Sequence, residues 1–248
     1  MLALGRVGAS YLFRFPRRAD FLFDPSSRVL RPFPSPEFDL QNLRQLLLDN
    51  VLPLVLSRRC FLVLHGGAVL IDDQAVAFLG ESGAGKSTLT AAFVSHGRPL
   101  VTDDCLALEE SRRGVAAFTS HPGLKLWPDS AESTFGPKTA AAPVRSGGSK
   151  LRVRAPGVAP PERSPLRRIY LLSRGPRISV AAPRKGDAFI GIVQNTQILD
   201  PTDPAMLKAS FERIGRLLEK VPVRGLTYPR SYSRIGAVRE AVLKDLER

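Results

Sequence analysis

Residues Gly80-Glu81-Ser82-Gly83-Ala84-Gly85-Lys86-Ser87 satisfy the pattern GxxxxGK[ST] in full, with an apolar stretch before them and a helix-compatible run after them. Glycines in such a loop let successive backbone N–H groups converge on phosphate oxygens, and the following helix N-terminus adds the positive end of its dipole. In that reading Gly80 to Thr88 bind a nucleotide. Lys86 neutralises charge on the β and γ phosphates, and the Ser87 hydroxyl ligates Mg²⁺. A second group is the pair Asp103-Asp104 at the end of "RPLVTDD". One carboxylate there can hold Mg²⁺ while the other accepts a proton from an attacking hydroxyl; the plainer alternative is a turn in which one of them caps the backbone. The third is His65 in "LHGG". A lone histidine between apolar strands often is a satisfied core residue, but two glycines beside it allow close backbone approach to a ligand.

These groups need elements to hold them. Phe61 to Gly80 reads as a hairpin that turns at Asp72-Asp73-Gln74 and feeds the glycine loop. "STLTAAFVSHG" is expected to be the helix after the loop, ended by Gly97, and "RPLVTDD" the neighbouring parallel strand with the aspartates at its C-terminal end. Upstream, residues 1–40 read as a small β-rich lobe or ribbon. Asp39 to Arg59 place Leu43, Leu46, Leu47 and Val51 at helical spacing, with Pro53 as a bend or a second helix start. Residues 41–248 would form the main domain. Within it "CLALEE", "GVAAFTS" and "GLKLW" are expected strands, and "WPDSAESTFG" a short helix with proline in its first turn. Gly136 to Pro165, rich in Gly, Pro and basic residues, reads as a long mobile basic loop, with "KLRVRA" the one strand-like piece. "LRRIYLLSRG" is a buried strand, "DAFIGIVQNTQIL" and "DPAMLKASFERIGRLLEKV" are amphipathic helices, "VRGLTYP" is a strand and "YSRIGAVREAVLKDLER" a closing helix.

Composition bounds the rest. The chain has 248 residues, 44% of them hydrophobic, enough for one substantial core and a small accessory lobe. Cys60 and Cys105 show no CxxC spacing, and His65, His96 and His121 form no HxxxH pair, so neither a disulfide framework nor a zinc site is suggested and a reducing cytoplasm fits. No apolar run is long enough to cross a membrane, and arginines interrupt the N-terminal segment before a signal-peptide core develops. The net charge of +13 favours an acidic partner, but the basic residues are scattered with little aromatic interleaving, which argues against a nucleic-acid platform.

Taken together, "LHGGAVLI", "FLGESGAGKST" and "GRPLVTDD" resemble the HPr kinase/phosphorylase C-terminal domain family, and more closely its short bacterial relatives, including serine kinases associated with lasso-peptide biosynthesis. "HPGLKLW", "RRIYLLSRG" and "VPVRGLTYPRSY" extend the resemblance more loosely to about Leu246. The resemblance implies an α/β fold similar to the nucleotide-binding domain of phosphoenolpyruvate carboxykinase, with a mixed β-sheet and flanking helices. It also implies ATP-dependent phosphorylation of a serine on a protein or peptide, with Mg²⁺. Lys86 and Ser87 then look like the family's phosphate lysine and magnesium serine, and Asp104 like its proton-accepting aspartate. Asp103 would be the supporting carboxylate and metal ligand, and His65 the histidine beside the transferred phosphate. The sequence does not fix the oligomeric state, although the family tends to assemble as homo-oligomers.

Departures from the family pattern are specific. The stretch before His65 is too short for the sensing domain of bifunctional members. The family's Mg²⁺-binding glutamate and its glycine-rich signature have no counterpart: "YLLSRG" has Ser173 where an acidic residue could stand, so the sequence does not tell whether phosphorylase activity exists, and Asp129 becomes a candidate substitute for the second metal ligand. Lys150 and Arg152 are candidates for the family's arginine near the transferred phosphate, or members of a solvated loop. Three other readings compete. An ABC-type ATPase would need LSGGQ and a strand ending in Asp-Glu, whereas "RSGGSK" lacks the Leu and Gln. A small-molecule kinase would share the loop and the carboxylates, as would a nucleotide-binding regulator without catalysis.

Overall fold

In the computed structural model, residues 2–59, 61–137, 139–144 and 148–248 are described, the side chain of Lys185 aside. Cys60 and the first three residues of "RSGGSK" lie outside them. The N-terminal strands β1 (Ala3–Val7), β2 (Ser10–Phe15), β3 (Ala19–Asp24) and β4 (Val29–Pro34) form an antiparallel meander in a sheet of their own. Alternation puts Tyr11, Phe13, Phe15, Phe21 and Phe23 on its buried face. That face packs on the helices α1 (Leu40–Leu46) and α2 (Leu52–Arg58) and on the turn between them, through Leu46, Val55 and Val51 respectively. Asp39 caps α1 by accepting a hydrogen bond from the Asn42 N–H. Between the helices, residues Leu47–Val51 form a π-turn, and Pro53 stands in the first turn of α2. Proline has no N–H to give and its ring crowds the carbonyl four residues back, so the ladder widens here rather than continuing.

The main sheet is mixed. Its strands are β5 (Leu62–Ile71), β6 (Gln74–Leu79), β7 (Leu100–Thr102), β8 (Cys105–Ser111), β9 (Gly114–Phe118), β13 (Arg163–Arg174), β14 (Ser179–Ala181) and β15 (Val223–Tyr228), in the order β14-β15-β13-β6-β5-β8-β9. The long β13 also pairs β9 at its start, so β13, β6, β5, β8 and β9 close on themselves. A separate three-stranded sheet holds β10 (Gly123–Leu126), β12 (Leu151–Arg154) and β11 (Ala141–Pro143). One face of the main sheet packs on α3 (Lys86–Val94), α4 (Pro128–Phe135) and α7 (Ile235–Leu246) through Phe78, Phe93, Tyr170 and Val242. The other packs on α5 (Lys185–Gln194) and α6 (Pro204–Lys220) through Leu79, Ile192, Ile214 and Leu217. The hairpin between β5 and β6 turns on Asp72 and Asp73, both at positive φ, as a two-residue primed turn requires. Among the described residues no helix is long and apolar enough to cross a membrane.

Three sequence expectations are corrected. β7 does not pair the loop-bearing strand. It pairs β5 antiparallel, one strand further over, and β6 is flanked instead by antiparallel β5 and parallel β13. Three residues cannot out-compete the twelve-residue β13 for that edge, yet β7 still delivers the aspartates. Part of the expected mobile loop at 136–165 is strand beyond the expected "KLRVRA": that piece is β12, but β11 and the start of β13 are paired there as well, with Leu151 and Val153 packed against α4 and β10. The helix expected to run to Leu199 ends at Gln194. Asn195 to Gln197 turn onto β5, with the Asn195 carbonyl accepting from the His65 N–H (2.7 Å) and the Gln197 N–H donating to Val63 (2.8 Å).

Candidate active site

The glycine loop leaves β6 and enters α3 through a series of backbone torsions that side chains resist. Gly80, Gly83 and Gly85 have φ of 149°, 80° and 99°. At Gly85 a Cβ would also lie 2.6 Å from the Tyr228 hydroxyl, which donates to the Ala84 carbonyl (2.8 Å) and braces the loop from β15. At the loop's other end the Gly80 N–H donates to Asn195 Oδ1 (3.2 Å). α3 begins with no side-chain cap, so its first N–H groups stay available to an anion. The Lys86 ammonium donates to the Gly80 and Glu81 carbonyls (2.7 and 3.1 Å), which uses two of its three protons and leaves one free. Burial draws its pKa below the ordinary lysine value, and Asp104 partly offsets that.

Facing the loop stand the aspartates, in the bend between β7 and β8. Asp103 is buried; one carboxylate oxygen accepts from the Lys125 backbone N–H (2.6 Å), and the other meets no hydrogen-bond donor. Burial first, then the charge of Asp104, pushes its pKa up to about 6; Lys125 and the neighbouring Ser87 hydroxyl act against the rise. Asp104 is different in kind. Its Oδ2 accepts from Lys125 Nζ (2.6 Å), and although burial acts to raise its pKa, the lysine's charge and hydrogen bond outweigh it and hold the group below the usual carboxylate range. Lys125 is gripped on its other side by Asp49, from the π-turn between α1 and α2. His65 Nδ1 lies 3.8 Å from Asp104 Oδ1, beyond hydrogen-bond length. Burial, then the charge of Lys86, lowers its pKa, so the ring is neutral near pH 7.

These groups border a cleft of about 510 Å³. His65, the loop from Ser82 to Thr88, Asp104, Lys125, Trp127, Asp129, Lys150 and Tyr232 line it, so most of the expected site residues converge on one space. Gly80, Glu81 and Asp103 do not line it. Other expectations fare differently. The glycines after His65 approach no ligand space: a Cβ on Gly66 would meet the Phe78 carbonyl at 2.9 Å, and one on Gly67 the Thr90 hydroxyl at 2.2 Å. They let β5 lie close to β6 and to α3. Asp129 lines the cleft, but both of its oxygens are engaged, by the Ser130 N–H and the Tyr232 hydroxyl. Arg152 bonds to Gln45 and lines a separate groove with His121, whereas Lys150 does reach the cleft, its ammonium 5.6 Å above the Trp127 ring. Ser173 pairs with Thr227 (2.8 Å).

Sequence reasoning missed Lys125, Asp49, Asn195 and Tyr228. The sequence carries one signal for Lys125: a lysine alternating with Leu124 and Leu126 in a buried strand must find carboxylates. Among the described residues no group of three or more His, Cys, Asp or Glu side chains is arranged to hold a metal. The fit to Mg²⁺ rests instead on an oxygen pair. The buried Asp103 oxygen lacks a donor and the carboxylate lies beside the Ser87 hydroxyl, which suits a hard cation that keeps most of its waters.

No protein-family model matches this sequence, and no curated protein matches it. Among solved structures, the chain is similar to the Hpr(Ser) kinase/phosphatase from Coxiella burnetii, at 12% identity and a TM-score of 0.36, over 75% of this chain and 97% of that one.

Proposed function

We propose that the protein is an ATP-dependent serine kinase acting on a protein or peptide. The observation that carries this reading is the juxtaposition of an uncapped, glycine-turned loop bearing Lys86 with a carboxylate, Asp104, at the opposite wall of one cleft. Loop N–H groups and the free proton of Lys86 would take the nucleotide's phosphate oxygens. Ser87 and Asp103 would hold Mg²⁺, which when bound neutralises charge that builds on the phosphates during transfer. Phosphoryl transfer asks chiefly for positioning and charge stabilisation, and the loop and Lys86 supply both. The serine oxygen bonds to the γ-phosphorus as the bond to the bridging oxygen breaks. ADP leaves with that electron pair, and the hydroxyl proton passes to Asp104. Because Asp104 is a weakened base while paired with Lys125, proton transfer is a late event, as a loose transition state permits. Neutral His65 stands beside Asp104 where it can take a hydrogen bond from the incoming group without adding charge.

Incubation with γ-labelled ATP, Mg²⁺ and serine-containing peptides, followed by phosphoamino-acid analysis, tests the reading. Labelled phosphoserine supports it; release of phosphate to water without any labelled acceptor would point to an ATPase instead.

A further inference from the structure

A second cleft, of about 630 Å³, meets the first. The two share Asp104, Lys125, Trp127 and Lys150, but no residue of the glycine loop lines the second and no residue of the N-terminal sheet or α1 lines the first. Its remaining walls come from the N-terminal sheet, through Phe15 and Arg18, from α1 and the π-turn, through Asn42, Asp49 and Asn50, and from residues 148–150. The N-terminal sheet has its own aromatic core, and among the described residues it meets the candidate chemistry through this wall and not through the first cleft. Charge in the cleft is unbalanced. Its two carboxylates, Asp49 and Asp104, are both held by Lys125, while Arg18 and Lys150 make no ion pair among the described residues.

Resting on the kinase reading above, we infer that this second cleft is the acceptor site, and that it takes an extended polypeptide segment with an acidic side chain near the serine. The two clefts meet at Asp104, so a segment lying in the second presents its hydroxyl to the carboxylate while the nucleotide occupies the first. A small alcohol would need only the space next to Asp104. A cleft larger than the nucleotide's own, walled by separate chain segments and lined by side-chain amides such as Asn42 and Asn50, matches a chain with main-chain donors and acceptors to satisfy. Arg18 is exposed, lies outside the candidate catalytic groups, and supplies the positive charge that an acidic neighbour of the serine would meet.

The test is a serine-centred peptide library, degenerate at the flanking positions, labelled from γ-labelled ATP by the wild type and by Arg18→Glu. The wild type is expected to select Asp or Glu near the serine. Arg18→Glu should lower labelling of those peptides about tenfold and favour Lys or Arg in their place, with KM for ATP unchanged. Trp127, the single tryptophan, lines both clefts, so its emission checks that the variant still binds ATP. Unchanged selectivity in Arg18→Glu would place the acceptor elsewhere and overturn the inference while leaving the kinase reading intact. Labelling of glycerol or sugars in place of peptides would overturn the polypeptide occupant. Labelling of neither by the wild type would remove the kinase reading and this inference with it.

Discussion

The two walls of the candidate active-site cleft are built by opposite means. The loop wall is local: eight consecutive residues whose glycine torsions set the shape, and whose outside support, from Tyr228 and Asn195, goes to backbone atoms. The carboxylate wall is assembled from distant segments. A lysine on β10 joins an aspartate from the β7–β8 bend to another from the π-turn between α1 and α2, and its own N–H holds a third. A wall made of torsions is preorganised by the chain itself. One made of ion pairs depends on the whole fold and carries a stability cost where a charge lacks its partner.

Substitutions on each wall should therefore fail differently. The largest effect is expected on the loop wall, where Lys86→Ala removes the free donor and should lower transfer by at least about 100-fold and weaken nucleotide binding, with little change in thermal stability. On the carboxylate wall the sign reverses. Asp103 has its folded pKa raised above its unfolded value, so the protonated form is favoured by folding; that contribution is fully present below the unfolded pKa and is lost as pH rises from about 4 to about 6. Without Mg²⁺, the protein should be more stable at pH 5 than at pH 7 to the extent that this group decides, and Asp103→Asn should stabilise it at pH 7 by up to about 3 kcal/mol. Denaturant midpoints at the two pH values check this; loss of stability in Asp103→Asn at pH 7 would mean that the carboxylate is better compensated than its missing donor indicates. Gly85→Ala should cost about 1–3 kcal/mol in loop strain, read as a 10-fold or greater loss of nucleotide affinity. Tyr228→Phe, which removes one brace, should cost about 1 kcal/mol.

The same contrast explains what was legible. Gly80 to Ser87 announce themselves because the loop's shape follows from contiguous residue types. Buried strands such as β5 and β6 are legible because both faces are covered and their apolar runs are nearly continuous. Pro53 and Asp39 mark their helix boundaries by their own chemistry. Lys125, Asp49 and Asn195 are separated from their partners by long stretches of chain, and no local pattern states which carboxylate a buried lysine meets. The partner of β7 is not legible for a related reason, since strand order depends on the competition of β13 for the same edge. The glycines at 66 and 67 serve packing and not a ligand: residue type gives the need for space but not its occupant.

In the proposed mechanism Asp104 serves transfer and not nucleotide binding. Asp104→Asn separates the two roles, with ATP affinity read from Trp127 emission and transfer read from label on a serine peptide. Affinity within about threefold of the wild type and transfer reduced by at least about 100-fold are expected. Transfer at the wild-type rate, or loss of ATP binding in step with transfer, would contradict it.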